Sequence, residues 1–383
     1  MQREAYITGW GVFMPNAPVD NSRIEFVLGA LEHQSTAVKR RVLANNGITS
    51  RHYAIDPATG AATHTNARLT AGAIHELCRT SGFALDDLRV LACGTSSPDQ
   101  MMPSHASMAH AELGGPPCEV ASFSGVCCAG VGAIKYGFLS VRSGESDNAV
   151  VTGSELASPS LRASHFGAQL RSGRAPDEGH ALLPFSNEFL RWMLSDGAGA
   201  LLVTATPRRD GPSLRIDWVD IVSYAHESEV CMYFGLEKQG GGATRSFRTV
   251  DDGEALMRDG FLSLAQDVRV LGERLPVLMR AAIRRLCERR GLVAAEVDWL
   301  LPHYSSQWFR QPLYDGLREL GLEIPWERWF SNLATKGNTG SAAVYIMLEE
   351  LMASRQVRPG DRILCLVPES ARMQFGFVHL TAV

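Results

Sequence analysis

The chain repeats one order of elements twice, and that repeat narrows its possible folds more than any single motif. In the first half, strand-like segments at 5–13, 90–97, 118–122, 148–155 and 198–204 alternate with helical stretches near 66–82 and 104–113. A further helix starts at the paired cysteines Cys127-Cys128 and runs to about Val141. In the second half, 214–222, 297–306, 362–370 and 375–382 repeat the strands in the same order. A long helix over about 261–290, and another opened by Gly337-Asn338-Thr339-Gly340-Ser341-Ala342-Ala343, repeat the helices. Alternating strands and helices build mostly parallel sheets covered by helices. Residues 1–206 and 207–383 therefore read as two α/β halves of βαβαβαββ character, joined near Pro207–Gly211. A length of 383 residues is more than one ordinary core needs. Two sheets with a buried helix pair between them would bring Cys128 and Asn338 to equivalent helix entrances facing one site.

The stretch Ser122 to Gly137 crowds small residues around two thiols. Glycine lets another backbone come close. A helix N-terminus offers free N–H groups and a positive dipole end, which favour thiolate over thiol. The plain alternative is that Cys127 and Cys128 are small buried hydrophobes. His303 follows an apolar strand at its C-terminal end, where α/β sheets place ligand groups; alone, such a residue is more often a structural histidine. Asn338, between small residues, is alone a helix N-cap. The repeat brings thiol, imidazole and carboxamide together. The net charge of -4 gives no support for a nucleic-acid binder. The eight cysteines show neither CxxC nor zinc spacing, so no disulfide framework or structural metal is expected. No run of 18 apolar residues occurs, and Met1–Tyr6 leads straight into a strand with no signal-like segment, which points to a cytoplasmic setting. Residues 157–191 carry little periodicity and are expected to form an excursion over the surface that shapes a binding site.

Over nearly its full length the chain resembles the β-ketoacyl-[acyl carrier protein] synthase III family of the thiolase superfamily. The motifs that carry the resemblance are Cys128-Ala129-Gly130, Pro302-His303 and Gly337-Asn338-Thr339-Gly340-Ser341-Ala342. Gly47-Ile48-Thr49-Ser50-Arg51-His52, Ser195-Asp196-Gly197-Ala198-Gly199-Ala200 and Asp298-Trp299-Leu300-Leu301 are further shared marks. The resemblance implies a five-layer α-β-α-β-α arrangement of the two halves. It implies Cys128 as an acyl-accepting nucleophile with its pKa lowered by the helix N-terminus, and Cys127 as a packing residue. Neighbouring helix positions diverge by ~100°, so both thiols cannot address one substrate. His303 and Asn338 would donate to an enolate oxygen while a carbon–carbon bond forms. No metal or redox cofactor is implied. The implied partners are an acyl carrier protein, acyl thioesters and a second copy of the chain, paired through the strand near 118–122.

Several segments depart from the family pattern. His303-Tyr304-Ser305-Ser306-Gln307-Trp308 has Ser306 where a second Asn is usual, and Trp308, with Arg310 nearby, where a basic residue meets the carrier. No Trp occurs in 33–46 to stack on coenzyme A, so carrier-bound donors gain. Pro368 to Phe375 replaces a glycine-rich loop and puts Glu369 or Arg372 near the thiol, Glu369 either as a base or as a salt-bridged brace. Met101-Met102-Pro103 stands where the family lines its pocket from the partner subunit, and methionine suits a long or unusual acyl chain. These departures resemble ketosynthases that join two acyl thioesters into dialkylresorcinol precursors. Two alternatives stand beside condensation: acyl transfer to an oxygen or nitrogen nucleophile with His303 as base, and a non-catalytic subunit of a heteromeric synthase. Retention of Asn338 favours condensation, and the presence of all three residues argues against the silent subunit.

Overall fold

The computed structural model describes residues 3–31, 36–166, 189–239 and 242–383. Nine strands form its main sheet: Tyr6–Phe13 (β1), Val90–Thr95 (β2), Glu119–Ser124 (β3), Asn148–Glu155 (β4), Gly197–Thr204 (β5), Leu214–Ser223 (β6), Trp299–Pro302 (β7), Arg362–Glu369 (β8) and Gln374–Ala382 (β9). β2, β4, β5 and β8 are buried almost end to end. Continuous burial of that kind is what a sheet covered on both faces requires. The spatial order is β7-β8-β9-β6-β1-β5-β4-β2-β3.

Two lobes share this sheet, and their strands pair where Tyr6 and Ile7 of β1 meet Arg215 and Leu214 of β6. In the first lobe β4, β2 and β3 run parallel and β5 antiparallel between β4 and β1. In the second, β7 and β8 run parallel, with β9 antiparallel between β8 and β6. The counterpart of β3 is reduced to one parallel bridge, Leu300 to Trp329. Otherwise the lobes repeat each other.

Side-chain alternation along the strands sorts the core into three apolar layers. Val150 of β4 packs outward with Leu69, Ile74 and Leu77 of the helix Asn66–Ser81 (α1) and Ala106 and Ala109 of His105–Leu113 (α2). Leu364 and Leu366 of β8 pack outward with Leu278, Ile283 and Leu286 of Val268–Arg290 (α4) and Leu313 and Leu317 of Arg310–Glu319 (α5). Between the lobes, Val151 of β4 and Val367 of β8 meet Val131 and Ile134 of Cys127–Ser143 (α3) and Val344 and Leu348 of Ala343–Ala353 (α6). The succession is helix, sheet, helix, sheet, helix, as expected.

Some element boundaries differ from the sequence reading. The helix expected over 20–46 is two pieces, Ile24–Leu28 and Thr36–Asn46, because Gly29 leaves the helical region at φ +79°. The long helix begins at Val268, where Asp267 accepts from the N–H groups of Arg269 and Val270. Most of the excursion expected over 157–191 lies outside the described residues.

The two central helices approach so closely that a side chain cannot fit between them. A Cβ on Gly130 of α3 would lie 2.3 Å from the carbonyl oxygen of Ser341, and one on Gly153 of β4 would lie 2.2 Å from it. Tyr345 Oη uses the space, donating to the Gly130 carbonyl at 2.8 Å. Gly130→Val should therefore lower stability by about 1–3 kcal/mol, read as a lower urea midpoint. Gly272→Ala, on the exposed side of α4 with open space around it, should raise it by about 0.5–1 kcal/mol in the same assay.

Candidate functional site

Helix α3 starts directly at the paired cysteines, and its first two side chains point different ways. Cys127 Sγ lies 3.1 Å from His303 Nε2. Cys128 Sγ instead donates to the Val367 carbonyl of β8 at 3.2 Å, inside the central apolar layer. The sequence reading had these places reversed, with Cys128 facing the imidazole and Cys127 packed away. Both thiols are buried, so exposure does not separate them; the roll of α3 about its axis does.

His303 follows β7, and its backbone N–H donates to Leu366 O at 2.8 Å, which extends the β7–β8 ladder into the site. Asn338 is pinned through its backbone: its N–H donates to Met193 O at 2.8 Å, and its carbonyl accepts from Ser195 N–H at 2.9 Å. Its Oδ1 accepts from Gly340 N–H at 3.0 Å, which leaves the side-chain NH2 as the donor available to the cavity. Cys127, His303 and Asn338 all line one cavity of about 900 Å3, whose walls are largely apolar, with Leu156, Leu194, Met232, Phe234, Met279 and Phe309 among them.

Burial dominates the electrostatics. It pushes the His303 imidazole down to about 4, so the ring is neutral at physiological pH. The Cys127 thiol is pushed well above its ordinary value, first by burial and then by the carboxylates of Glu369 and Glu155. The expectation of a thiol acidified by its helix end is therefore reversed: a dipole end does not outweigh desolvation plus two nearby negative charges. The resting pair is a neutral thiol beside a neutral imidazole.

The remaining expected residues are scattered. Glu369 Oε2 accepts from the N–H groups of Val126 at 3.0 Å and Cys128 at 3.1 Å, bracing the start of α3. It opens on a separate cavity of about 300 Å3, which Cys128 also lines, rather than on the one holding His303. Arg372 lines the main cavity, with its Nε donating to the carbonyls of Ala225 and Ser228. Met101 lines it too, its Sδ 3.7 Å from Arg248 Nη2, whereas Met102 is exposed and off the wall. Ser306 is buried, its Oγ accepting from Trp308 N–H; Tyr304 and Ser305 reach the cavity instead. Arg310 stacks 4.2 Å over the Trp326 ring, away from the cavity wall. Glu155, absent from the sequence reading, lines the main cavity beside Asn338. Its signal was available, a carboxylate closing an apolar strand. Among the described residues no group of three His, Cys, Asp or Glu side chains could hold a metal ion, and no helix is long and apolar enough to cross a membrane.

A mixed sheet of two lobes enclosing a helix pair, with the thiol at one helix start, the carboxamide in the turn before the other and the imidazole after a strand, is the thiolase fold. Two solved structures share it over essentially the whole chain. The tetronic acid condensing enzyme AbyA1 aligns with a TM-score of 0.76 at 20% identity, covering 98% of this chain and 99% of its own. OleA of Xanthomonas campestris aligns with a TM-score of 0.74 at 17% identity, covering 100% of both chains. Residues 287–367 match the family described as 3-oxoacyl-[acyl-carrier-protein (ACP)] synthase III C terminal. The β-ketoacyl-[acyl-carrier-protein] synthase III 3 of Streptomyces coelicolor is 26% identical, over 100% of this chain and 98% of its own length. Over its whole length the chain is therefore similar to β-ketoacyl-[acyl-carrier-protein] synthase III proteins, and it shares its fold with condensing enzymes of known structure.

The geometry sets an order of thiol reactivity. Iodoacetamide should label the protein slowly at pH 7, where a thiol held above its ordinary pKa is less than about 1% thiolate, and faster as pH rises past 9. Labelling at the cavity, followed by peptide mass spectrometry, should disappear in Cys127→Ala and persist in Cys128→Ala.

Proposed function

We propose that the protein is a condensing acyltransferase that joins an acyl group held on Cys127 to a second, carrier-bound thioester through a new carbon–carbon bond. The observation that carries this reading is the 3.1 Å contact between Cys127 Sγ and His303 Nε2 on the wall of a cavity that Asn338 also lines. Cys127 attacks the first thioester carbonyl while His303 takes its proton and passes it to the departing carrier thiol. The acyl-enzyme is neutral, which suits a dry pocket. The second thioester then docks with its carbonyl between the imidazole N–H and the Asn338 NH2. Loss of carbon dioxide from a malonyl-type unit generates an enolate whose growing charge those two donors stabilise. Its carbon attacks the acyl-enzyme carbonyl, the C–S bond breaks, and the Cys127 thiolate leaves and is reprotonated. Transfer to an alcohol or amine would make little use of the Asn338 donor.

The finer reading follows from the surroundings. The largely apolar walls of a 900 Å3 cavity suit long acyl chains, and a dialkylresorcinol-type union of two acyl thioesters is the product class we favour. Arg248 and Arg372 near the methionine-lined wall offer positive charge to an acidic carrier. Strand β3 ends the sheet with Val120 exposed, and Leu139 of α3 is half-exposed, which favours pairing of two copies along that edge. All eight cysteines are free thiols, in keeping with a reducing cytoplasm.

Intact-protein mass spectrometry with a panel of carrier-bound acyl donors tests the reading. A covalent acyl adduct should form, vanish in Cys127→Ala and remain in Cys128→Ala; the opposite pattern overturns the assignment. Asn338→Ala should still acylate yet form product about 10²–10³-fold more slowly, the usual cost of one oxyanion donor. An ester or amide as the sole product of the wild-type enzyme would replace condensation with simple transfer.

A further inference from the structure

Two buried carboxylates occupy matching places in the internal repeat. Glu155 ends β4 of the first lobe, and Glu369 ends β8 of the second. Each reaches across to the helix of the opposite lobe. Glu369 accepts from the N–H groups of Val126 and Cys128, where α3 begins. Glu155 Oε1 accepts from the N–H of Ser341 at 3.1 Å and its Oγ at 2.8 Å, in the short turn that leads into α6. The other oxygen of Glu155 accepts from Ser96 Oγ at 2.5 Å and Ser97 Oγ at 2.7 Å, on the loop after β2. The two carboxylates thus grip the two helix starts that carry the thiol and the carboxamide.

We infer that Glu155 is a positioning residue for the Asn338 amide, as Glu369 is for the start of the thiol helix. Gly340, next to the gripped Ser341, links the grip to the amide. Asn338 Oδ1 is held by Gly340 N–H at 3.0 Å, and a Cβ on Gly340 would lie 2.8 Å from Glu155 Cγ. Gly340 itself sits at φ +50°, so the turn is shaped by what it packs against. Glu155 receives five donors in all, counting Ser96 N–H at 3.3 Å, which occupies the lone pairs a general base would need. Its contribution to the amide is therefore geometric, separate from its charge, which helps to hold the proton on Cys127. Because Asn338 acts on the second thioester, removing the grip should slow carbon–carbon bond formation and spare acylation of Cys127, a consequence that rests on the proposed function.

The test compares Glu155→Ala, Glu155→Gln and the wild-type enzyme by rapid-quench mass spectrometry of the acyl-enzyme and by product formation. The alanine variant should acylate no more slowly than wild type, since a carboxylate that helps to hold the Cys127 proton is gone, and form product roughly 10- to 100-fold more slowly. Gln keeps an acceptor for Ser341 and a polar group for the serine hydroxyls, so it should recover most of that loss. Equal loss in both steps, or a Gln variant as slow as Ala, overturns the inference. Glu155→Asp, one methylene short of the turn, takes the place of Ala if that variant does not fold. A crystal structure of the Ala or Asp variant decides the matter without any substrate, which separates it from failure of the proposed reaction: the Asn338 amide should shift while the Cys127–His303 contact stays. An unmoved Asn338 overturns the proposal.

Discussion

Everything in the active region depends on how closely α3 and α6 pass one another between the lobes. Gly130 and Gly153 surround the carbonyl of Ser341 with no Cβ between, and Tyr345 closes the gap with a hydrogen bond to Gly130. Packed interiors have little free space, so this contact fixes the roll of α3 and the height of the turn that carries Asn338. A wider spacing would put Cys127 and Asn338 out of reach of a common carbonyl. The small-residue composition of both helix starts is therefore a requirement of the chemistry as well as of packing.

Burial at that contact creates an electrostatic situation that a simple helix-dipole argument does not anticipate. Cys127 is desolvated and lies near two carboxylates, so its thiol holds its proton firmly. His303, equally desolvated, is a weak base, with a pKa of about 4. Neither group is charged at rest, and the site reserves its donors for charge that develops on a bound substrate. In the proposed reaction, that division suits a pocket in which an acyl-enzyme waits, unhydrolysed, for a second reactant.

Much of this was legible before any coordinates. The matching order of segments announced two lobes and a buried helix pair, because periodicity and strand length report directly on which faces are buried. His303 and Asn338 were legible for the same reason: each sits where an apolar element ends, and the repeat brings those ends together. Less legible were residues whose place depends on a loop's path. Ser306 and Arg310 follow His303 closely in sequence yet turn away from the cavity, one to cap a short turn and the other to stack on Trp326. Met102 lies beside a wall residue and is itself exposed. Glu155 is not legible in the sequence because an acidic residue closing a strand has no fixed meaning until its partners, Ser341 and the Ser96-Ser97 loop, come from distant parts of the chain.

The sequence by itself determined the layered fold, the duplication, and the presence of a thiol, an imidazole and a carboxamide at the ends of core elements. Only the tertiary structure decided which of two adjacent cysteines faces the imidazole. Consecutive helical side chains leave the axis ~100° apart, and nothing local to Cys127-Cys128 selects between them. The choice is made by contacts from the other lobe: Val367 takes the Cys128 thiol, Glu369 holds the helix start, and Ser341 sets how near α3 can come.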